Sequence, residues 1–316
     1  MRARRKVFLY KVEGVKGTDA APTSAADLIL PNGDITIAIP TEQDSGEGDV
    51  KGTFGPGDSV TIKQAMSIDL NTRVRGLGQG AGALLVPSIH AALLASGHVV
   101  VTAGSGVGTP RSATYTPSSA EANLKSATGY YYEDGLLYKL LGCANGLSFE
   151  ASMNALTCKF TPQAKYSQPT VVVLPAWAAP AQKIFRMTTA LMTMNEGGSP
   201  VNIGAFSFDT GTKVEEAYEV GNHYFEVADR NPVITIDPLA VASTADFTAL
   251  TNCSSAALVA TFTNELGETL VFTANKCVPM EFGRGARAGR ITSQKKFSLK
   301  ETAGDDQYSI AWTAAL

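Results

Sequence analysis

Charge is scarce in this chain of 316 residues: 17% of them are Asp, Glu, Lys or Arg, against 44% hydrophobic, where about a quarter charged is usual. A surface so thin in charge suits a protein whose faces are covered by partner subunits. The net charge of −3 excludes the overall positive balance with which nucleic-acid-gripping proteins hold phosphates. No stretch reaches the roughly 18 consecutive apolar residues of a transmembrane helix, so no membrane anchor is expected. The basic start, Arg2, Arg4, Arg5 and Lys6, is followed only by the apolar run Val7–Tyr10, too short for a signal peptide. The product is expected to fold in a cytoplasm.

Catalytic and metal-binding patterns are equally sparse. The three histidines, His90, His98 and His223, have no second ligand at a spacing such as H-E-x-x-H, so neither a metal nor a cofactor is expected. Cys143, Cys158, Cys253 and Cys277 form no C-x-x-C pair and read as reduced, largely buried small residues. Gly76–Gly82 and Gly104–Gly108 are rich in glycine, but neither matches G-x-G-x-x-G or a phosphate-binding loop ending in G-K-[ST], and both read as loops around a helix. A nucleophile elbow is missing too. The residues point to no catalytic site and to a protein that is not an enzyme.

What the chain has in quantity is short alternating strands between turn residues. Ile35–Ile39, Val60–Leu70, Gly129–Tyr132, Leu136–Leu141, Leu147–Phe149 and Leu156–Phe160 all qualify. Asp134-Gly135 and Asn145-Gly146, flanked by apolar residues, predict hairpins. An Ala- and Leu-rich helix is predicted over 87–96, stopping at Gly97. Pro162, Pro169, Pro175 and Pro180, followed by Asn195–Pro200, mark a connection and a domain boundary. Beyond it, Val201–Phe208 and Lys213–Val220 are expected to pair through Gly211, and 243–250 to form a second short helix with a Ser or Thr N-cap.

The order strands, helix, hairpin, cysteine, strand occurs twice, with Cys143 and Cys277 in matching places. It predicts a mainly β fold with short helices, built from two tandem β-sandwich-like units. The expected division is 1–165 for an N-terminal arm and first unit, 166–200 for the connection, and 201–316 for the second unit.

Charged residues gather in a few places. Glu42, Asp44, Glu47, Asp49 and Asp58 lie in a Gly-rich stretch, read either as a solvated loop or as an arm that orders on meeting another subunit. A second acidic run, Glu215, Glu216, Glu219 and Glu226, sits at a comparable place in the second half. Arg284, Arg287, Arg290, Lys295 and Lys296 cluster near the end, with Lys300 beyond them. A phosphate-tracking patch would use such residues, yet aromatic interleaving is thin there. Pairing with the acidic arm of a neighbouring subunit accounts for both clusters.

Several motifs, in order, resemble one family. Glu13-Gly14-Val15-Lys16-Gly17-Thr18-Asp19-Ala20-Ala21-Pro22-Thr23 is similar to an opening E-x-x-x-G-T-D-x-x-P-T. Pro87 to Gly97 looks like the pattern P-x-x-x-L-L-x-A-x-G, and Tyr115-Thr116-Pro117-Ser118 like Y-x-P-S. Asp134-Gly135 through Gly146 resembles a D-G-x-x-x-x-L-x-G-A-x-G hairpin. Together they resemble the tail tube (major tail) proteins of siphophages, in the long form with two tube domains per chain. From about Val201 onward the likeness depends on the internal repeat.

The resemblance implies a structural virion protein. Subunits close into rings whose strands complete a β-barrel around a lumen, and closure removes exposed sheet edges. Two domains per chain imply a trimeric ring with pseudo-sixfold symmetry, or a hexamer if the second half is a decoration domain. The implied partners are further copies of the chain, the tape measure protein, the tail terminator and distal tail proteins, and DNA in transit without specific binding. The arm at 41–58, the loop at 283–296 and the N-terminal Met1–Lys6 are the expected ring-to-ring contacts. Other readings are a capsid decoration or fibre protein and a carbohydrate-active β-sandwich, for which only ordinary carboxylates speak.

Overall fold

Alternation of apolar and polar side chains shapes most strands. In Leu147–Ala151 the residues Leu147, Phe149 and Ala151 are buried while Glu150 is exposed, the period of two that puts neighbours on opposite faces of a sheet. The computed structural model describes residues 6–44, 59–78, 84–104, 111–220, 222–241 and 243–315. Strand accounts for 54% and helix for 6%, so the chain is mainly β with short helices, as its sequence predicts.

In chain order the elements are β1 (Lys6–Val12), β2 (Leu28–Ile29), β3 (Thr36–Ala38), β4 (Thr41–Asp44), β5 (Val60–Arg73), the helix α1 (His90–Ala95), β6 (His98–Ala103) and β7 (Ser112–Pro117). They continue with β8 (Ala127–Glu133), β9 (Leu136–Ala144), β10 (Leu147–Ala151), β11 (Thr157–Phe160), β12 (Gln163–Lys165) and β13 (Thr170–Val171). After a long connection come β14 (Met192–Glu196), β15 (Ser199–Pro200), β16 (Phe206–Asp209), β17 (Thr212–Glu219), β18 (Asn222–Arg230) and β19 (Val233–Ile236). The helix α2 (Ala245–Thr251), β20 (Ala256–Thr263), β21 (Thr269–Arg287), β22 (Arg290–Leu299) and β23 (Ser309–Thr313) complete the chain.

Two antiparallel runs of four strands share one order. In the first, β3 pairs with β5, β5 with β11 and β11 with β10. In the second, β16 pairs with β19, β19 with β22 and β22 with β21. Both read first, second, fourth, third along the chain. A second layer follows suit. There, β1 pairs with β2 and β8, and β8 with β9, while β14 pairs with β15 and β20, and β20 with β21. The β6–β7 hairpin belongs to the first series alone and reaches across to the C-terminal strand β23. One hydrophobic cluster runs through both parts, from Phe8 and Tyr131 to Phe272 and Trp312.

Some local expectations are corrected. Asp134 and Gly135 take the positive φ values, 41° and 105°, of a two-residue hairpin turn. Asn145-Gly146 does not form one. Asn145 is buried, accepts a hydrogen bond from the Tyr10 hydroxyl at 2.9 Å and donates to the Ala92 carbonyl at 3.0 Å. The chain there leaves the layer of β9 for that of β10, which pairs with β11 and β16. Likewise Lys213–Val220 does not pair with Val201–Phe208. Both edges of β16 are taken by β10 and β19, so β17 pairs with β18 in a separate two-stranded hairpin. Cys253 is exposed at φ 50°, just past α2, whereas the other three thiols are buried. Thr244 makes no side-chain cap to α2; the Ser243 hydroxyl instead accepts the Ala245 N–H at 3.1 Å.

Candidate assembly surface

The two runs join edge to edge. β10 pairs with β16 in the register Ser148↔Asp209, Phe149↔Phe208, Glu150↔Ser207 and Ala151↔Phe206. The result is one antiparallel wall in the order β3-β5-β11-β10-β16-β19-β22-β21. One face of it buries Phe149, Phe160, Phe206, Phe208, Ile234 and Phe297 in the core. Alternation puts polar residues on the other face: the carboxylates of Asp69, Glu150, Asp209 and Glu281 and the cations of Arg73, Lys159 and Lys296. A trough of about 750 Å³ opens on that face between Arg73, Glu150, Thr235, Glu281 and Lys296.

Among the described residues, neither end of the wall carries a further strand. Among the described residues, β3 has no strand on the side away from β5. β20 runs beside β21 only as far as Cys277, which leaves 278–287 paired with β22 alone. Apolar side chains are exposed at each end: Ile39 at 40% beside β3, and Met280 at 52% and Phe247 at 46% beside β21. Phe247 packs edge-on against Phe282 with ring centroids 4.9 Å apart.

The charged residues singled out from sequence are dispersed. Arg2, Arg4, Arg5, Glu47, Asp49 and Asp58 lie outside the described residues. Lys6 meets Glu133 at 3.6 Å. Glu42 and Asp44 are exposed on β4, opposite Lys63 and Val60 of β5. Arg287 is paired with Asp237 at 2.8 Å. Lys295 is held by Glu196 at 2.9 Å and Asp246 at 2.8 Å. Burial disfavours its ammonium, but the hydrogen bonds to Asp246 and Glu196 outweigh that and raise its pKa. Arg284 donates to the Ser293 hydroxyl at 3.0 Å and lies over the rings of Phe247 and Phe282. Arg290 is exposed at the β21–β22 turn, and Lys296 lines the trough.

The second acidic run decorates the β17–β18 hairpin, which leans on the first half. Glu216 pairs with Lys63 of β5 at 2.6 Å, the Tyr218 hydroxyl donates to the Ile62 carbonyl at 2.7 Å, and Glu226 meets Lys16 at 3.4 Å. This hairpin connects β16 to β19 just as the arm containing β4 connects β3 to β5.

Two buried carboxylates, Glu13 and Glu268, lie outside the charge clusters visible in the sequence. Glu13 accepts hydrogen bonds from the Gly17 N–H (2.7 Å), the Ser126 hydroxyl (2.5 Å), the Thr128 hydroxyl (2.8 Å) and the Gly142 N–H (2.8 Å). It thereby pins the connection after β1 onto β8 and β9. Asp19 accepts from the Tyr130 hydroxyl at 2.5 Å, Lys139 at 3.0 Å and the Ala21 N–H at 2.8 Å. Burial works to raise its pKa, yet those hydrogen bonds prevail and hold it below the usual carboxylate range. The opening motif is therefore a structural clasp, and its leading Glu was the available signal. Glu268 is the other. Fully buried, it accepts from the Gly78 N–H at 2.5 Å and from the Asn264 amide, and a side chain at Gly76 would overlap its carboxylate. The start of the glycine-rich segment makes room for a carboxylate of the chain itself.

The histidines are tied into hydrogen bonds. His98 is fully buried, with Nε2 2.7 Å from the Tyr308 hydroxyl and Nδ1 2.8 Å from the Ser96 hydroxyl. Burial, aided by nearby Arg230, lowers its pKa to about 3. His90 lies 2.8 Å from the Tyr115 hydroxyl, and His223 2.7 Å from Glu216. Among the described residues no group of three or more His, Cys, Asp or Glu is placed to hold a metal ion. No helix there is long and apolar enough to cross a membrane.

No curated protein matches the chain. A family model described as Phage tail tube protein matches residues 3–314. With a match along nearly its whole length, the chain belongs to the phage tail tube protein family.

Proposed function

We propose that this tail protein closes into a trimeric ring, that rings stack into a tube, and that DNA passes through the lumen during ejection. The observation that carries this reading is the eight-stranded wall, both of whose ends are unpaired among the described residues. The repeated pairing order supports two tube units per chain, the second beginning at β14. Three chains supply about twenty-four strands, which at about 4.8 Å spacing and with barrel-like tilt close a cylinder about 40–50 Å across between backbones. Sixteen strands, from two chains, give only the narrower channel of a porin-sized barrel.

The polar face is the lumen lining in this reading. Carboxylates of Asp69, Glu150, Asp209 and Glu281 are interspersed there with the cations of Arg73, Lys159 and Lys296, and Arg287 is paired with Asp237, so the face offers no continuous strip of positive charge to hold the phosphates. At physiological salt, screening over about 8 Å confines any electrostatic effect to residues on that face.

The β4 arm with Glu42 and Asp44, and the β21–β22 turn with Arg290, are the candidate contacts between rings. Arg287 and Lys295 have partners within the chain and are left out. The tape measure protein inside and the terminator and distal tail proteins at the ends complete the proposed surroundings. Negative-stain microscopy of the concentrated protein tests the reading. Stacked rings or tubes are expected; discrete particles at every concentration favour a decoration or fibre protein.

A further inference from the structure

We infer that Asn32 is a site of spontaneous deamidation, which sets a new carboxylate on the polar face of the wall, and that Asn145, in the same dipeptide, is protected. The chain has two Asn-Gly pairs, Asn32-Gly33 and Asn145-Gly146. The reaction is intramolecular. The backbone nitrogen of the glycine, once it has lost its proton, attacks the side-chain carbonyl carbon of the asparagine. That C–N bond forms, the Cγ–Nδ2 bond breaks, and ammonia leaves with a proton drawn from water. Water then opens the five-membered succinimide at either of its two carbonyls, giving Asp or isoaspartate. One water is consumed and one ammonia released. The attack requires the carboxamide to reach a near-attack geometry over the next nitrogen, and a glycine there adds no side chain to crowd it.

The two pairs sit in opposite surroundings. Asn32 lies in the bend between β2 and β3, where Gly33 and Asp34 are exposed. Gly33 has a φ of 104°, and nothing lies within 4 Å of where its Cβ would be. The bend is fastened beside the reacting atoms: Pro31 bridges Thr72, and the Asn32 N–H donates to the Asn71 carbonyl at 2.7 Å. Among the described residues, no hydrogen bond holds the Asn32 carboxamide or the Gly33 N–H. Asn145 is fully buried. Its amide donates to the carbonyls of Ala92 at 3.0 Å and Gly146 at 3.3 Å, and its oxygen accepts from the Tyr10 hydroxyl at 2.9 Å. Turning that carboxamide over the Gly146 nitrogen would break bonds that burial makes costly to lose, in a place closed to the water the second step needs. Position gives the reaction its consequence. Asn32 lines the trough together with Arg73 and Glu150, and an aspartate there is ionised at neutral pH. Each event makes the polar face one charge more negative. Its place in a lumen rests on the ring reading above; the reaction itself does not.

Peptide mapping by mass spectrometry tests the site. The full chain is incubated at mildly alkaline pH in water enriched in heavy oxygen, then digested in ordinary water so that deamidation during digestion is told apart. The peptide carrying Asn32 is expected to deamidate with uptake of one heavy oxygen about tenfold or more faster than the peptide carrying Asn145, and faster again as the pH is raised. In chain unfolded by guanidinium the two are expected to react at similar rates, which makes the difference a property of the fold. On isoelectric focusing, aged protein is expected to gain a band one charge more acidic that coincides with Asn32→Asp. Asn32→Gln, whose longer side chain would have to close a six-membered ring, is expected to lose that band. Asn32 reacting as slowly as Asn145 in the native chain overturns the inference, and so does an acidic band that persists in Asn32→Gln. Deamidation at Asn32 in protein that forms no rings supports the site and removes only its place in a lumen.

Discussion

Phe149 and Phe208 face each other across the β10–β16 seam, their ring centroids 6.1 Å apart and their planes only 16° from parallel. One comes from each half of the chain, and both contact Phe272 beneath the seam. The pair is the hydrophobic underside of a strand junction whose upper side is polar.

Truncating either ring leaves a cavity in a closely packed core. Phe149→Ala or Phe208→Ala is expected to cost about 3–5 kcal/mol, read from the urea unfolding midpoint at constant slope. A cost below about 1 kcal/mol would show that the seam collapses around the gap, and that packing there does not hold the halves together.

Glu13 gathers four donors from three separate segments. Glu13→Ala leaves several of them unsatisfied and is expected to cost more than Glu13→Gln, itself worth about 1–3 kcal/mol. Thermal melts of the three proteins check the ranking; a Gln variant as stable as the parent contradicts the clasp.

Gly76 lies against the Glu268 carboxylate, while Gly14 has open space around its missing side chain. Gly76→Ala is expected to lower the melting temperature by several degrees and Gly14→Ala to leave it nearly unchanged. Pairing Gly76→Ala with Glu268→Ala should cost less than the two separate losses combined, because one overlap is shared. Strict additivity would refute the close approach.

Acid sensitivity follows from His98. Its ring takes up a proton near pH 6.5 in the unfolded chain but only at about 3 in the fold. Between those values the unfolded state binds the extra proton. This stabilisation is complete above about pH 6.5 and declines as the pH falls towards 3. Burial lowers His90 in the same direction. Denaturant midpoints measured from about pH 7 to pH 4.5 should fall less steeply in His98→Asn than in the parent. Equal slopes would mean that His98 is not shielded as described.

The sequence made local features legible and long-range ones only by analogy. The Asp134-Gly135 turn is fixed by two neighbouring residues with positive φ, so it could be read directly. Asn145-Gly146 carries the same letters, yet Tyr10 and Ala92 claim the Asn side chain and turn the chain into another layer. Lys213–Val220 was recognisable as a strand, but its partner depended on β16 already being flanked on both sides. The matching places of Cys143 and Cys277 were visible, and each lies beside the passage between layers: β9 to β10 in one case, the middle of β21 in the other. Charge clusters do not by themselves reveal which members are paired within the chain. Lys295 looked available for a neighbour, whereas Glu196 and Asp246, 99 and 49 residues away, hold it within the chain.

Cross-sections of assembled tubes by cryo-electron microscopy test the account most directly. Three copies per ring are expected, each giving a continuous wall from β3 to β21, with Glu150 and Asp209 on the inner surface. Six copies per ring, or a lumen lined by other strands with those two carboxylates on the outside, would contradict it.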